Sequence, residues 1–319
     1  MNDTHMNPAS LSELRTTFGD NMQENVHLSG YTAARIGGPA DVLVFVHNAD
    51  ELVRAAEKLW KMDMPFTLLG GGSNVLVSER GVRGVVIINR ARLLKFKHPQ
   101  NGTSSKTDLP TVFAETGVTP NDIAQRAARL GLAGFEWAAS IPGSLGGAIY
   151  GNAGAFGGEM AGNLISVELI HRQNGRQTWP VSKLECGYRT SLLKREHPPV
   201  LLLSAELALK YGNRPDIQSK MEKFSTQRRT LQPPGASMGS IFKNPPGDKA
   251  GRLLEAAGLK GKIIGNATIS TQHANFFINN GQTHAEDMRA LIELAQKTVL
   301  DQFGIKLELE VELIGDWQE

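Results

Sequence analysis

Two glycine-rich stretches constrain this chain of 319 residues more than any other feature of its sequence. In the first, Gly70-Gly71-Gly72 directly follows the apolar run 66–69, and Ser73 and Asn74 come next. Three consecutive glycines let backbone N–H groups converge on an anion without obstruction by Cβ atoms, which favours a phosphate or pyrophosphate site. A tight turn with positive φ is the alternative, although a single glycine suffices for it. In the second stretch, small residues dominate from Gly134 to Gly158, as expected where backbone presses against a large flat ligand or against a neighbouring helix.

Composition describes an ordinary folded protein and excludes several classes of partner. The 34 Lys and Arg residues nearly balance the 32 Asp and Glu residues, so neither nucleic acid nor an acidic membrane is expected as a partner. No apolar run approaches the ~20 residues that span a bilayer, and no signal peptide is visible. Because Cys186 is the single cysteine, an internal disulfide and a cysteine-rich metal site are excluded. We therefore expect a cytoplasmic protein.

The spacing of apolar residues predicts an α+β chain. Expected elements are strands at 41–46, 66–69, 84–88, 93–98, 111–116, 201–210 and 307–314, helices at 50–61 and 120–130, a hairpin around Asn174-Gly175, and a helix capped at Thr283 that ends at Gly304. A polar insertion at 98–110 and a change of composition near 211–215 indicate boundaries. The predicted segments are a loosely held polar arm over 1–25 with one short helix around 11–18, subdomains over 26–98 and 99–212, and a last domain over 213–319.

Familiar catalytic motifs are missing or lack their context. The sequence contains no P-loop, no GxGxxG turn and no HExxH motif. Its histidines are scattered, so no metal is expected. Gly235–Gly239 matches GxSxG, but Pro233-Pro234 stands where a nucleophile elbow needs a strand.

Two further blocks place a cation beside hydroxyl groups, as a site for an anionic substrate requires. They are Tyr188-Arg189-Thr190-Ser191 and Gly239-Ser240-Ile241-Phe242-Lys243-Asn244-Pro245. Taken singly, Arg189 is better explained as a surface arginine and Ser240 as a turn residue.

Seven ordered blocks between Thr32 and Gly315 together resemble the UDP-N-acetylenolpyruvoylglucosamine reductase family, flavoenzymes of peptidoglycan precursor synthesis. The blocks are RIGGPAD at 35–41, LGGGSN at 69–74, IPGSLGGA with GNAGAFG at 141–157, YRTS at 188–191, GSIFKNP at 239–245, HANFFIN at 273–279 and LELEV at 307–311. The short segment between YRTS and GSIFKNP is typical of the subtype that lacks an extra substrate-closing loop.

The resemblance implies an FAD-binding fold of the vanillyl-alcohol-oxidase or PCMH type, made of two small α+β subdomains, followed by a C-terminal α/β substrate-binding domain. It further implies FAD as cofactor, oxidation of NADPH, and reduction of UDP-N-acetylglucosamine enolpyruvate to UDP-N-acetylmuramate. We expect non-covalent FAD, because no obvious His or Cys tether stands beside the two glycine-rich stretches. We expect a monomer. A flavin-binding protein of the same fold that lacks this chemistry, or has another specificity, is the alternative.

Matching the family motifs residue by residue gives the expected site. The catalytic residues are Arg189, Ser240 and Glu310. The residues expected to bind FAD are Leu69, Gly70, Gly71, Gly72, Ser73, Asn74, Ser140, Ile141, Pro142, Gly143, Gly147, Asn152 and Gly154. The residues expected to bind the substrate are Tyr188, Arg229, Lys243, Asn244 and His273.

Overall fold

The computed structural model describes residues 6–97 and 109–317, so most of the predicted insertion at 98–110 lies outside the described residues. The chain forms two compact units. Among the described residues, unit A comprises 6–44, 72–86 and 229–317, and unit B comprises 45–71, 87–97 and 109–228. These units differ from the four predicted segments, because stretches that are distant in the sequence pack together.

The described chain contains both helices and strands, and several strands follow one another directly. The helices are α1 Pro8–Phe18, α2 Ala49–Lys61, α3 Pro120–Arg129, α4 Leu145–Tyr150, α5 Met160–Asn163, α6 Leu192–Glu196, α7 Arg214–Leu231, α8 Ala250–Ala256 and α9 Ala285–Phe303. The strands are β1 Met22–His27, β2 Pro39–Val46, β3 Phe66–Leu69, β4 Val75–Val77, β5 Val82–Asn89, β6 Leu94–Lys97, β7 Thr111–Glu115, β8 Leu132–Ala133, β9 Gly154–Ala155, β10 Gly158–Glu159, β11 Leu164–His171, β12 Gly175–Pro180, β13 Val200–Ala208, β14 Lys210–Tyr211, β15 Ala236–Ser240, β16 Ile263–Ile264, β17 Ala267–Ile269, β18 Phe276–Asn279 and β19 Glu312–Ile314. In residues 6–97 and 109–317, no helix has the length and apolar character needed to cross a bilayer.

A five-stranded antiparallel sheet with the order β12-β11-β13-β7-β6 lies at the centre of unit B. In the hairpin of β11 and β12, His171 stands opposite Gly175, which confirms the turn predicted at Asn174-Gly175. Helix α3 begins where predicted, since the Thr119 hydroxyl accepts a hydrogen bond from the Asp122 N–H at 3.0 Å. The buried side chains of this sheet and of α3 and α4 form one core.

In unit A, α8 and α9 pack with a sheet of order β15-β18-β17-β16 around a second core. The prediction of Thr283 as the cap of α9 was wrong by one residue. His284 occupies the cap position, and its N–H donates to the Asp287 carboxylate at 3.4 Å. The predicted end is confirmed, because Gly304 caps the helix with φ +68°.

The N-terminal segment contains the expected short helix, since α1 covers 11–18, but it is less loosely held than the predicted arm. Helix α1 buries Leu11 and Leu14, and β1 pairs antiparallel with β2, with Val26 opposite Ala40. In unit A, β19 pairs in parallel with β4, which places the strand that follows Asn74 beside a segment from the far end of the described chain.

Candidate active site

The two predicted flavin-binding stretches lie against each other within unit B. A Cβ added at Gly71 would stand 2.6 Å from the Gly143 Cα, and one added at Gly70 would collide with the Ser144 hydroxyl. Gly143 has φ +97°, a conformation that side-chain-bearing residues rarely adopt. The stretches therefore form one surface of closely packed backbone that tolerates no side chain at these positions.

Gly72 has a different steric requirement, which lies in unit A. Its φ is +57°, and an added Cβ would collide with the carbonyl oxygen of Tyr31. Turn geometry thus accounts for Gly72, and close packing accounts for Gly70 and Gly71. Because packing and turn geometry together explain the whole run, a ligand at this surface needs separate support.

Ser140, in the second stretch, provides that support. Its Oγ atom is buried, and the described residues offer it no hydrogen-bond partner. Buried polar atoms are nearly always hydrogen bonded, so an unsatisfied hydroxyl beside a glycine-lined surface is typical of a ligand site. A flavin nucleotide, with its many polar atoms, fits this requirement.

The other residues expected to bind FAD surround this surface. Among them Leu69 is buried, Ser73, Ile141 and Gly154 are half-buried, and Pro142 and Gly147 are exposed. The Gly147 N–H donates to the Ser144 Oγ at 3.3 Å at the start of α4. Their contacts with FAD stay a prediction.

Two asparagines expected to bind FAD use their side chains within the protein. In unit A, the Asn74 Nδ2 donates to the Glu310 carbonyl at 3.0 Å. In unit B, the Asn152 Nδ2 donates to the Gly187 carbonyl at 2.9 Å. Each amide therefore connects a predicted flavin-binding stretch to a segment that carries a predicted catalytic residue.

Arg189 lies at the tip of a tight turn in unit B. The Gly187 N–H donates to the Thr190 carbonyl at 3.0 Å, and the Thr190 N–H returns a bond to the Gly187 carbonyl at 3.2 Å. Arg189 has φ +54°, a left-handed conformation that costs a residue with a side chain about 1–3 kcal/mol. Its guanidinium carbon lies 5.5 Å from the ring centre of exposed Tyr188. Strain of this kind clusters at functional sites.

A second guanidinium, that of Arg228 in α7, interacts electrostatically with Arg189. Burial lowers the pKa of Arg228, and repulsion by the Arg189 cation lowers this pKa further. Arg229, the residue predicted to bind substrate, is exposed, whereas Arg228 is half-buried. The helical spacing from buried Ile217 and Met221 places Arg228 on the inner face of α7. This spacing is visible in the sequence and could have identified Arg228 as a site residue.

Backbone pairing in unit A brings Ser240 close to Glu310. The Glu310 N–H donates to the Ile241 carbonyl at 2.8 Å, and a bridge pairs Phe242 with Leu309. Ser240, the last residue of β15, thus directly precedes the residue that bonds to Glu310. Two of the three expected catalytic residues share one local structure.

Asn275, which the site prediction missed, holds this local structure in place. It is buried, its Nδ2 donates to the Phe242 carbonyl at 2.8 Å, and its Oδ1 accepts from the Phe242 N–H at 3.0 Å. The Ile241 N–H donates to the Asn275 carbonyl at 2.9 Å. A buried amide with all these partners rigidifies the segment after Ser240.

The remaining residues expected to bind substrate in unit A also have protein partners. The Lys243 ammonium lies 3.4 Å from the Glu308 carboxylate, and the Asn244 Oδ1 accepts from the Ala250 N–H at 3.0 Å. Burial lowers the pKa of His273 below its ordinary 6.5, so its imidazole is neutral at pH 7. Their contacts with substrate stay a prediction.

Comparison with known proteins decides the family. One family model, an FAD-binding domain, matches residues 40–179, and another, the C-terminal domain of UDP-N-acetylenolpyruvoylglucosamine reductase, matches residues 231–314. A curated UDP-N-acetylenolpyruvoylglucosamine reductase from Chloroflexus aggregans is 39% identical over 296 residues, which is 92% of this chain and 97% of the relative. This chain belongs to the UDP-N-acetylenolpyruvoylglucosamine reductase family. The reductase from Geobacillus kaustophilus is 38% identical and aligns over 93% of this chain and 94% of its own length.

A solved structure supports the same assignment for the fold. The crystal structure of the reductase from Thermus caldophilus has a TM-score of 0.75 and 35% identity, and the match covers 92% of this chain and 99% of that one. The predicted α+β architecture, an FAD-binding part with a C-terminal reductase domain, is therefore confirmed.

As a member of this reductase family, the chain is an FAD-dependent oxidoreductase. Its residues fit that cofactor, since the glycine-lined surface and the unsatisfied Ser140 hydroxyl both lie within the matched FAD-binding domain. No cluster of three or more His, Cys, Asp or Glu side chains suited to a metal occurs in residues 6–97 or 109–317.

Ser140→Ala is expected to weaken FAD binding without destabilising the flavin-free protein. Loss of one hydrogen bond to the ligand, about 1 kcal/mol, raises Kd about fivefold. Without flavin, the same change deletes a buried hydroxyl that the described protein does not satisfy, so Tm should stay constant or rise. Fluorescence titration with FAD and thermal unfolding measure the two effects.

Ser182→Ala, at an exposed serine of unit B, is the matched control. An unchanged FAD affinity in Ser140→Ala would contradict a flavin contact there. Gly71→Asp is less informative, because a side chain at Gly71 would collide with Gly143 whether or not phosphate binds.

Proposed function

We propose that this chain oxidises NADPH and reduces the enolpyruvyl group of UDP-N-acetylglucosamine enolpyruvate, which yields UDP-N-acetylmuramate. The observation that carries the proposal is the backbone hydrogen bond between Ile241 and Glu310, since it holds the segment of Ser240 beside the segment of Glu310. The name shared by relatives that span almost the whole chain supports the choice of substrate. Bound non-covalently, FAD supplies the hydride transfer between NADPH and the enolpyruvyl carbon.

Ser240 is the proposed proton donor. Hydride addition leaves an enol or carbanion next to the substrate carboxylate, and such a group is basic enough to take a proton from a weak acid at hydrogen-bond distance. Half-buried Lys243 lies three residues further along the segment that Asn275 holds rigid. Its positive charge stabilises the alkoxide that forms when Ser240 releases the proton.

Arg189 is the proposed partner of the substrate carboxylate. Negative charge spreads into that carboxylate as the hydride arrives, so a fixed guanidinium stabilises the transition state more than the ground state. The positive charge of Arg228 strengthens the field at this point. Glu310 orients the site or exchanges a proton there, because two anions would repel if it bound the carboxylate directly.

The test is an assay of NADPH oxidation with and without the enolpyruvyl UDP-sugar. The purified protein should be yellow, release FAD on denaturation, and oxidise NADPH beyond one equivalent per flavin only when the sugar is present. The product should carry one added hydride and one added proton by mass spectrometry. Reduction of the flavin without consumption of the sugar would favour the alternative, a flavoprotein of other specificity.

A further inference from the structure

Asn152 is a buried residue whose side chain is fully engaged near the Arg189 turn. It is 1% exposed, and its Nδ2 donates to the Gly187 carbonyl at 2.9 Å and to the Glu159 carboxylate at 3.2 Å. Its Oδ1 accepts from the Ala161 N–H at 2.9 Å. The Gly187 carbonyl is also the group that closes the turn by accepting from Thr190.

A second bond from the same segment holds the other side of the turn. Ser191, which follows the turn and is fully buried, donates its hydroxyl to the Tyr150 carbonyl at 2.7 Å. Tyr150 and Asn152 therefore form hydrogen bonds with the residue immediately before Tyr188 and the residue immediately after Thr190. The strained Arg189 lies in the turn between these two hydrogen-bonded positions.

The segment that contains Tyr150 and Asn152 is continuous with the flavin-binding surface. Residues 150–152 lie at the end of α4, and this helix starts next to Ser144, whose hydroxyl lies against Gly70. One short helix thus separates the glycine-lined surface from the Arg189 turn within unit B.

We infer that Asn152 is a positioning residue, which fixes the direction of the Arg189 guanidinium by holding the Gly187 carbonyl. The inference rests on the proposed function of Arg189. An arginine in the left-handed conformation is stable only where the surrounding structure fixes its backbone. Here hydrogen bonds fix the backbone on either side of Arg189. Asn152 itself has φ +42°, which asparagine tolerates better than most residues.

Asn152→Asp is the sharpest variant for the test. Aspartate has the same size, tolerates the same backbone conformation and keeps the acceptor for Ala161, but it loses both donors. The new carboxylate would also repel Glu159, so the substitution is made in wild type and in Glu159→Gln, where this repulsion is absent. Asn25→Asp is the matched control, because Asn25 is exposed and has φ +52°.

Stopped-flow absorbance of the holoenzyme gives the decisive measurement. We expect Asn152→Asp to slow flavin reoxidation by the enolpyruvyl substrate about 10- to 100-fold in both backgrounds, since small misplacements of a catalytic group have effects of this size. Flavin content and flavin reduction by NADPH should be unchanged, because the Asn152 amide is engaged by Gly187, Glu159 and Ala161. Loss of flavin would favour the FAD contact expected from the sequence and would overturn the inference. Equal slowing of both halves, or of neither, would overturn the inference, as would an effect confined to the background that retains Glu159.

A double-mutant comparison with Arg189→Lys distinguishes the positioning role of Asn152 from the role of Arg189 itself. If Asn152 acts through Arg189, Asn152→Asp should add little to the defect of Arg189→Lys, whereas independent effects would multiply and overturn the inference. Normal turnover in Arg189→Lys alone would refute the proposed role of Arg189 and the inference with it. If Asn152→Asp does not fold, Ser191→Ala must show the same selective slowing, and its absence would overturn the inference.

Discussion

Ser240→Ala is expected to leave reduction of the flavin by NADPH nearly intact while reoxidation by the enolpyruvyl substrate slows about 10²- to 10⁴-fold, the usual range for losing a positioned acid. The two rates respond differently because only reoxidation of the flavin by the substrate needs a proton donor. Stopped-flow absorbance of the flavin follows the two halves separately. The segment after Ser240 should keep its structure, because Asn275 holds it through backbone atoms of Phe242 and Ile241.

Ser237→Ala is the matched control for this measurement. Ser237 lies in the same strand, β15, and is the serine of the GxSxG pattern. Its replacement should leave both halves of the reaction at wild-type rates. A comparable slowing of both halves in Ser240→Ala would assign Ser240 a structural role and give the proton to another group.

Arg189→Lys is expected to lower turnover by about 10²-fold or more, as for other groups that stabilise developing charge. Lysine keeps the positive charge but lacks the planar fork that binds a carboxylate through two hydrogen bonds. Steady-state kinetics should place most of the loss in kcat, because the interaction strengthens in the transition state.

Arg176→Lys is the control for replacing an arginine by a lysine. Arg176 lies on β12 in the same unit and pairs with the Glu168 carboxylate at 3.3 Å on the surface. This variant should turn over at the wild-type rate. Turnover in Arg189→Lys close to that of the control would remove Arg189 from the mechanism.

Elements with a complete local pattern could be predicted from the sequence. Helix α3 has its N-cap Thr119, a proline in its first turn and Gly131 beyond its end, so every signal lies in or beside the helix. Strand β1 could not be recognised in this way. Its residues alternate between exposed and half-buried and include few large apolar side chains, so its conformation depends on pairing with β2.

The same distinction between local and long-range signals applies to the candidate site. Ordered sequence blocks locate Arg189, Ser240 and Glu310, because each lies in a recognisable motif. The partners of the asparagine amides could not be predicted, since Asn74 bonds to a carbonyl 236 residues away and Asn152 to one 35 residues away. No local pattern encodes such contacts, because they exist only after the units have folded.

The pairing of β4 with β19 sets an order of events during synthesis of the protein. Asn74, the last residue of the GGGSN stretch, leaves the ribosome 236 residues before Glu310, whose carbonyl its side chain binds. At about 5–20 residues per second, this stretch waits about 10–50 s for its partner. A nascent chain therefore carries the predicted flavin-binding stretch without this hydrogen bond for most of its synthesis, and the bond can form only after translation has passed Glu310.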